Sequence, residues 1–134
     1  MPMTTTQAHV PPDLKGKIII LVEDDNDTRE FLTTVLERTG ATVHAATDGL
    51  TALDEIQRIA AHDLPALIML DFMLPGISGS DIIERLRGRK ELAGIPLLVV
   101  TAYPESEELK GLTVLPKPPK VSDIYSRIRE ALGM

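Results

Sequence analysis

Ile18-Ile19-Ile20-Leu21-Val22 narrows the choice of fold more than any other segment of this chain. The run is short, unbroken and rich in β-branched residues, and it stops abruptly at Glu23-Asp24-Asp25. A strand with one face in water alternates apolar and polar residues. A run that is apolar at every position fits a strand buried on both faces, which needs helices on both sides of its sheet. Four further segments read as strands: Thr42-Val43-His44-Ala45-Ala46; Ala66-Leu67-Ile68-Met69-Leu70, which runs into Asp71; Ile95-Pro96-Leu97-Leu98-Val99-Val100; and Thr113-Val114-Leu115. Pro96 falls near a strand start, where its missing N–H matters least.

Helical patterns fill the intervals. Phe31, Leu32, Val35 and Leu36 recur at helical spacing behind the candidate N-caps Asp25, Asn26 and Asp27, and Gly40 closes that segment. Asp48 opens a second helix carrying Leu50, Leu53, Ile56 and Ile59. Pro75, Gly76 and Gly79 mark a loop before a third helix with Ile82, Ile83 and Leu86. Val121, Ile124, Tyr125, Ile128 and Leu132 make a last amphipathic helix. Strands alternating with helices indicate an α/β fold, a parallel sheet covered on both faces. Residues 1–15, rich in Thr and Pro, are expected to form a flexible tail, and residues 16–134 a single domain.

Composition bears on function mainly by exclusion. The chain has 134 residues, no Trp and only 3% aromatics, so stacking on bases is not expected. A net charge of −6 opposes a surface that tracks phosphates, and no nucleic-acid partner is expected. Arg85, Arg87, Arg89 and Lys90 form one small basic cluster, read as a solvated helix end. Cysteine is absent, and His9, His44 and His62 lack metal-ligand spacing. No basic stretch precedes an apolar leader, and no apolar run approaches the ~20 residues that span a bilayer. A soluble, cytoplasmic protein with no membrane partner is the expectation.

The polar residues that follow the apolar strands carry the chemistry. Strand one ends in Glu23-Asp24, strand three in Asp71 and strand four in Thr101, and strand five leads to Lys117. Ligands of open parallel sheets bind outside the carboxyl ends of the strands. Three carboxylates, a hydroxyl and an ammonium thus share one crevice. Three carboxylates at close range repel one another, and a hard divalent cation such as Mg²⁺ relieves that. An Asp beside both a metal and a Lys is placed to attack a phosphoryl group, with the cations neutralising charge on its oxygens. Singly, each piece has an ordinary reading: an acidic helix start, a turn Asp, an N-cap Thr and a surface Lys. Their arrival at one sheet edge is what argues for phosphoryl transfer.

The segments IIILVEDDNDTREF, ATVHAATDGLTAL, ALIMLDFMLPGISG, IPLLVVTAY and VLPKP resemble those of two-component response-regulator receiver domains, and the likeness runs from about Lys17 to Leu132. The resemblance implies a flavodoxin-like, doubly wound sheet of strand order 2-1-3-4-5. It implies Asp71 as the phosphoacceptor, Thr101 as the switch hydroxyl and Lys117 as the phosphate-binding lysine. Glu23 and Asp24 become the acidic pair for Mg²⁺, with Mn²⁺ as an alternative, and Asp71 and the Met73 backbone carbonyl complete the metal ligands. A cis peptide at Lys117-Pro118 is implied as well. The implied partners are a histidine kinase or histidine phosphotransfer protein and a downstream protein target. The implied function is a stand-alone phosphoacceptor that signals by partner binding or phosphate relay and catalyses only its own phosphorylation and dephosphorylation. The alternative is a degenerate receiver acting only as a protein-interaction module.

Between Thr101 and Lys117 the chain departs from the common receiver pattern. Only 15 residues, 102–116, separate the two. The segment holds Pro104 and Gly111 and little amphipathic pattern, so the fourth helix is expected to be short or replaced by a loop, with residues 103–112 the most mobile part of the domain. The family's aromatic switch position, three before the lysine, is Val114; Tyr103 is the aromatic nearest the switch threonine. A receiver subgroup with a loop in this place is similar, its Phe-Ala-Thr-Gly-Tyr motif standing where this chain reads Val99-Val100-Thr101-Ala102-Tyr103. In receivers the residues two after the phosphoacceptor and two after the switch threonine flank the path of the attacking water; here they are Met73 and Tyr103. A haloacid-dehalogenase-type phosphatase needs an acid where Met73 stands, and a calcium loop at 24–27 lacks its glycine and distal Glu.

Overall fold

The computed structural model describes residues 9–134. Five strands form one parallel sheet, β1 (Ile18–Val22), β2 (Thr42–Ala46), β3 (Leu67–Asp71), β4 (Leu97–Thr101) and β5 (Thr113–Pro116). Their order is β2-β1-β3-β4-β5, as the family resemblance implies. The helices are α1 (Asn26–Glu37), α2 (Gly49–Ala60), α3 (Gly79–Arg87) and α4 (Val121–Leu132). Between β4 and β5 there is only a 3-10 turn, Glu107–Leu109, in place of a crossover helix.

Successive strand residues point to opposite faces, so an unbroken apolar run feeds two cores. Ile20, Val22, Ile68 and Leu70 pack with Ile56, Ile82 and Leu86 on one side. Ile19, Leu21, Leu67 and Met69 pack with Leu32, Leu36, Ile124 and Ile128 on the other. All eight strand residues are at most 1% exposed. At about 1.5–3 kcal/mol for each large side chain removed from water, these central strands are a rigid base for whatever follows them.

The helix starts are fixed locally. Asp25 accepts the Thr28 amide at 2.8 Å, Asp48 the Thr51 amide at 2.8 Å and Ser78 the Asp81 amide at 3.1 Å, each capping its helix. Helical spacing misleads at two positions: Phe31 is 41% exposed and Leu50 57% exposed, both outside the core. The neighbouring Leu32 and Leu53 take the inward direction. Residues 1–8 of the expected tail lie outside the described residues. Of the rest, Leu14 is buried in the α1–α4 core, and its amide donates to the Thr39 carbonyl at 2.7 Å. The Val10 carbonyl accepts from Arg129. Packed chain therefore begins before residue 16. No helix among the described residues is long and apolar enough to cross a membrane.

Candidate functional site

The carboxyl ends of β1, β3, β4 and β5 bring Glu23, Asp24, Asp71, Thr101 and Lys117 to one edge of the sheet, as expected. Asp71 is the last residue of β3 and is 4% exposed. Both its oxygens are engaged. Oδ1 accepts the Met73 amide at 3.0 Å, and Oδ2 accepts the Lys117 ammonium at 3.0 Å. Thr101 closes β4, and its Oγ1 accepts the Tyr103 amide at 3.0 Å. The Lys117 amide donates to the Thr101 carbonyl at 2.9 Å, which holds the chain beyond β5 against β4. The Lys117-Pro118 peptide is cis.

Glu23 is 1% exposed. Its Oε2 accepts the Asp25 amide at 3.1 Å. Its Oε1 lies 3.3 Å from the Lys117 ammonium, an ion pair whose angle does not make a hydrogen bond, so this buried oxygen has no hydrogen-bond donor. Burial pushes the Glu23 carboxyl up to about 7, a shift resisted by the Asp25 amide, reinforced by Asp71, and resisted by the charge of Lys117. Burial works against the Lys117 charge, yet the bond to Asp71 and the charges of Asp71 and Glu23 raise its pKa above the ordinary lysine value. Asp24 is exposed.

One oxygen each of Glu23, Asp24 and Asp71 lies within 4.8 Å of the others. An all-oxygen donor set with an orphaned buried carboxylate oxygen fits a hard divalent cation. Met73 follows Asp71 in the β3–α3 loop, its side chain 66% exposed and its amide already used by Asp71.

Two contributions escaped the sequence reading, the packing role of Gly79, which was read only as a loop marker, and Arg29. Gly79 packs under the loop: a Cβ there would sit 2.7 Å from the Phe72 carbonyl oxygen, so the turn after Asp71 closes only over glycine. Arg29 folds back over the acidic pair; a cation in the first turn of a helix, against the dipole, is the signal that marks it. Arg85, Arg87, Arg89 and Lys90 are exposed at and beyond the end of α3, away from this edge.

Comparison with known proteins bears on the family and the fold. A family model described as the response regulator receiver domain matches residues 19–129. The response regulator MprA of Mycobacterium tuberculosis is 37% identical over 120 residues, covering 85% of this chain and 50% of MprA. The chain thus spans about half the length of the curated relatives it matches. Among solved structures, the bacteriophytochrome response regulator RtBRR superposes with a TM-score of 0.76 at 31% identity, over 88% of this chain and 78% of that one. The chemotaxis response regulator CheY4 of Vibrio cholerae superposes with a TM-score of 0.78 at 23% identity, over 87% and 98%, a likeness of fold.

Proposed function

Because this chain belongs to the response-regulator receiver family, we propose that it acts as a phosphoacceptor of two-component or phosphorelay signalling through Asp71. A phosphohistidine of a histidine kinase or phosphotransfer protein is the donor. The observation that carries the assignment to Asp71 is the reach of one ammonium to two buried carboxylates, Asp71 at 3.0 Å and Glu23 at 3.3 Å, with Glu23 Oε1 left without a donor.

Asp24, Asp71 and the Met73 backbone carbonyl would hold Mg²⁺ or Mn²⁺, with Glu23 reaching it through water. Once bound, such a cation supplies charge neutralisation for the phosphoryl oxygens. An Asp71 carboxylate oxygen forms the new P–O bond as the donor's P–N bond breaks. The imidazole leaves with that electron pair and takes up a proton. Lys117 offsets the charge of the arriving phosphoryl group. The Thr101 hydroxyl accepts from Tyr103 and keeps its own proton for a phosphoryl oxygen. The sole reaction proposed is this gain of phosphate and its later hydrolysis. A downstream protein reads the result, and the cytoplasm is where such donors act.

The test is incubation with acetyl phosphate and Mg²⁺, followed by intact mass. The native chain gains one phosphoryl group and Asp71→Asn gains none; Asp24→Ala loses most of the adduct. Equal labelling of native and Asp71→Asn chains would overturn the assignment.

A further inference from the structure

We propose that Arg29 is a positioning residue for the acidic pair, holding the backbone of Glu23 and Asp24 so that their carboxylates converge with Asp71 and take up a divalent cation. The inference rests on the metal-binding reading above.

Arg29 stands in the first turn of α1, where the helix dipole favours anions, so its charge is misplaced there unless something compensates. Its guanidinium turns back across the β1–α1 junction. Nη1 donates to the Glu23 carbonyl at 3.1 Å and to the Asp24 carbonyl at 3.3 Å, and Nη2 donates to Asn26 Oδ1 at 2.5 Å. Among the described residues no backbone amide outside the regular elements donates to either carbonyl. One planar group thus ties down the stretch on which both acids sit. Rotating either peptide would turn a carbonyl away and swing the attached side chains. The inward setting of Glu23, with Oε2 on the Asp25 amide at 3.1 Å, depends on that backbone.

Arg29 differs from Lys117 in what it uses. Lys117 engages carboxylate oxygens of Asp71 and Glu23 directly. Arg29 makes no such ion pair among the described residues and itself occupies no carboxylate oxygen of Glu23, Asp24 or Asp71. Two roles for Arg29 then predict opposite signs. As a mere nearby positive charge it repels a metal ion, and its removal tightens binding. As a clamp on the loop, its removal loosens the ligands and weakens binding.

The experiment is calorimetric titration of the full chain with Mg²⁺ alone, for the native protein, Arg29→Ala and Arg29→Lys, below the unfolding temperature of each. The expected result is a Kd raised roughly 10-fold in Arg29→Ala, as for loss of a group that orients metal ligands. Arg29→Lys shows a similar loss, because one ammonium cannot span two carbonyls and Asn26. In the metal-free protein, amide exchange at Asp25 is faster in both variants. Unchanged or tighter Mg²⁺ binding in Arg29→Ala overturns the proposal, as does native affinity in Arg29→Lys. A native chain that takes up no Mg²⁺ overturns the metal site itself, and this inference with it; the native arm separates that failure from failure of the clamp.

Discussion

Met73 and Tyr103 hold matching places on two neighbouring strand ends. Each lies two residues after the side chain its own amide binds, Asp71 in one case and Thr101 in the other, both at 3.0 Å. The strands β3 and β4 are adjacent, so the two turns flank the same mouth. Their side chains are 66% and 67% exposed. Neither carries a carboxylate or amide to orient a water at phosphorus. Intrinsic dephosphorylation is therefore expected to be slow. Replacing both, Met73→Asn with Tyr103→Glu, is expected to speed it on the order of 10-fold, less than a full general base contributes. Both proteins are phosphorylated, the donor is removed and the adduct is followed by mass. Equal or faster decay in the native chain would contradict this.

Glu23 is expected to make the metal-free protein sensitive to pH. Its carboxyl titrates near 7 when folded and near the ordinary 4.5 when unfolded. Between those values the unfolded chain has given up a proton that the folded chain keeps. Stability falls as pH rises through that window and levels off above it. Other shifted groups stay out of the window. Asp25 and Asp48 are held below the ordinary 3.8 by their Thr28 and Thr51 bonds, and Lys117 above 10.5. Thermal unfolding in a chelator at pH 5 to 8 should show the decline in the native chain and a flat profile for Glu23→Gln. Identical profiles would remove Glu23 as the cause.

Two adjacent residues of α1 separate core from surface. Leu32 is fully buried and Phe31 is 41% exposed. Leu32→Ala is expected to cost about 2–5 kcal/mol, and Phe31→Ala less than about 1 kcal/mol despite the larger side chain. Urea unfolding of the two variants decides it; a larger loss for Phe31→Ala would place the aromatic in a partner-free core role that its exposure denies.

That pair also shows what one chain can and cannot disclose. Apolar runs such as 18–22 announced the doubly covered sheet because burial on both faces forbids polar residues, and the placement of the candidate site followed from which side chain ended each run. Asp71, Thr101 and Lys117 are far apart in sequence yet meet because parallel strands share one carboxyl edge. Phe31 and Leu50 were opaque because several adjacent apolar residues satisfy the same helical period, and only packing selects among them. Leu14 was opaque because its Pro- and Thr-rich surroundings describe an unanchored segment, while the core in fact accepts that one leucine. Arg29 bonds backbone carbonyls and Gly79 makes room beside one, and a pattern of side chains records neither contact, although a cation early in α1 and a glycine in a loop were both visible.

The β4–β5 crossover is where a phosphoryl signal is expected to be read. Elsewhere the sheet is crossed by helices, but here a single 3-10 turn does the work, with Leu109 its one buried residue. Tyr103, Glu105, Glu107, Glu108, Lys110 and Gly111 are exposed, and one exposed bond, Ser80 Oγ to Glu108 Oε2 at 2.8 Å, ties the turn to α3. With so few anchors, low local stability is expected here. Val114, at the position where receivers commonly carry an aromatic, is only half-buried. With Leu109, Leu112 and Pro116 it borders a groove of about 560 Å³. With no ring at that position to swing inward, the route from the site to the surface is expected to run through Thr101 and the Tyr103 amide it holds. A phosphoryl oxygen that accepts a hydrogen bond from the Thr101 hydroxyl is expected to fix that hydroxyl, and with it the start of the crossover, an ordering of a loop in place of a helix shift. Amide exchange across residues 103–112 should slow severalfold on phosphorylation of the native chain and stay unchanged in Thr101→Ala, which still accepts phosphate at Asp71. Equal slowing in both proteins would show that the loop responds by another route, and no slowing in either would remove the crossover as the switch.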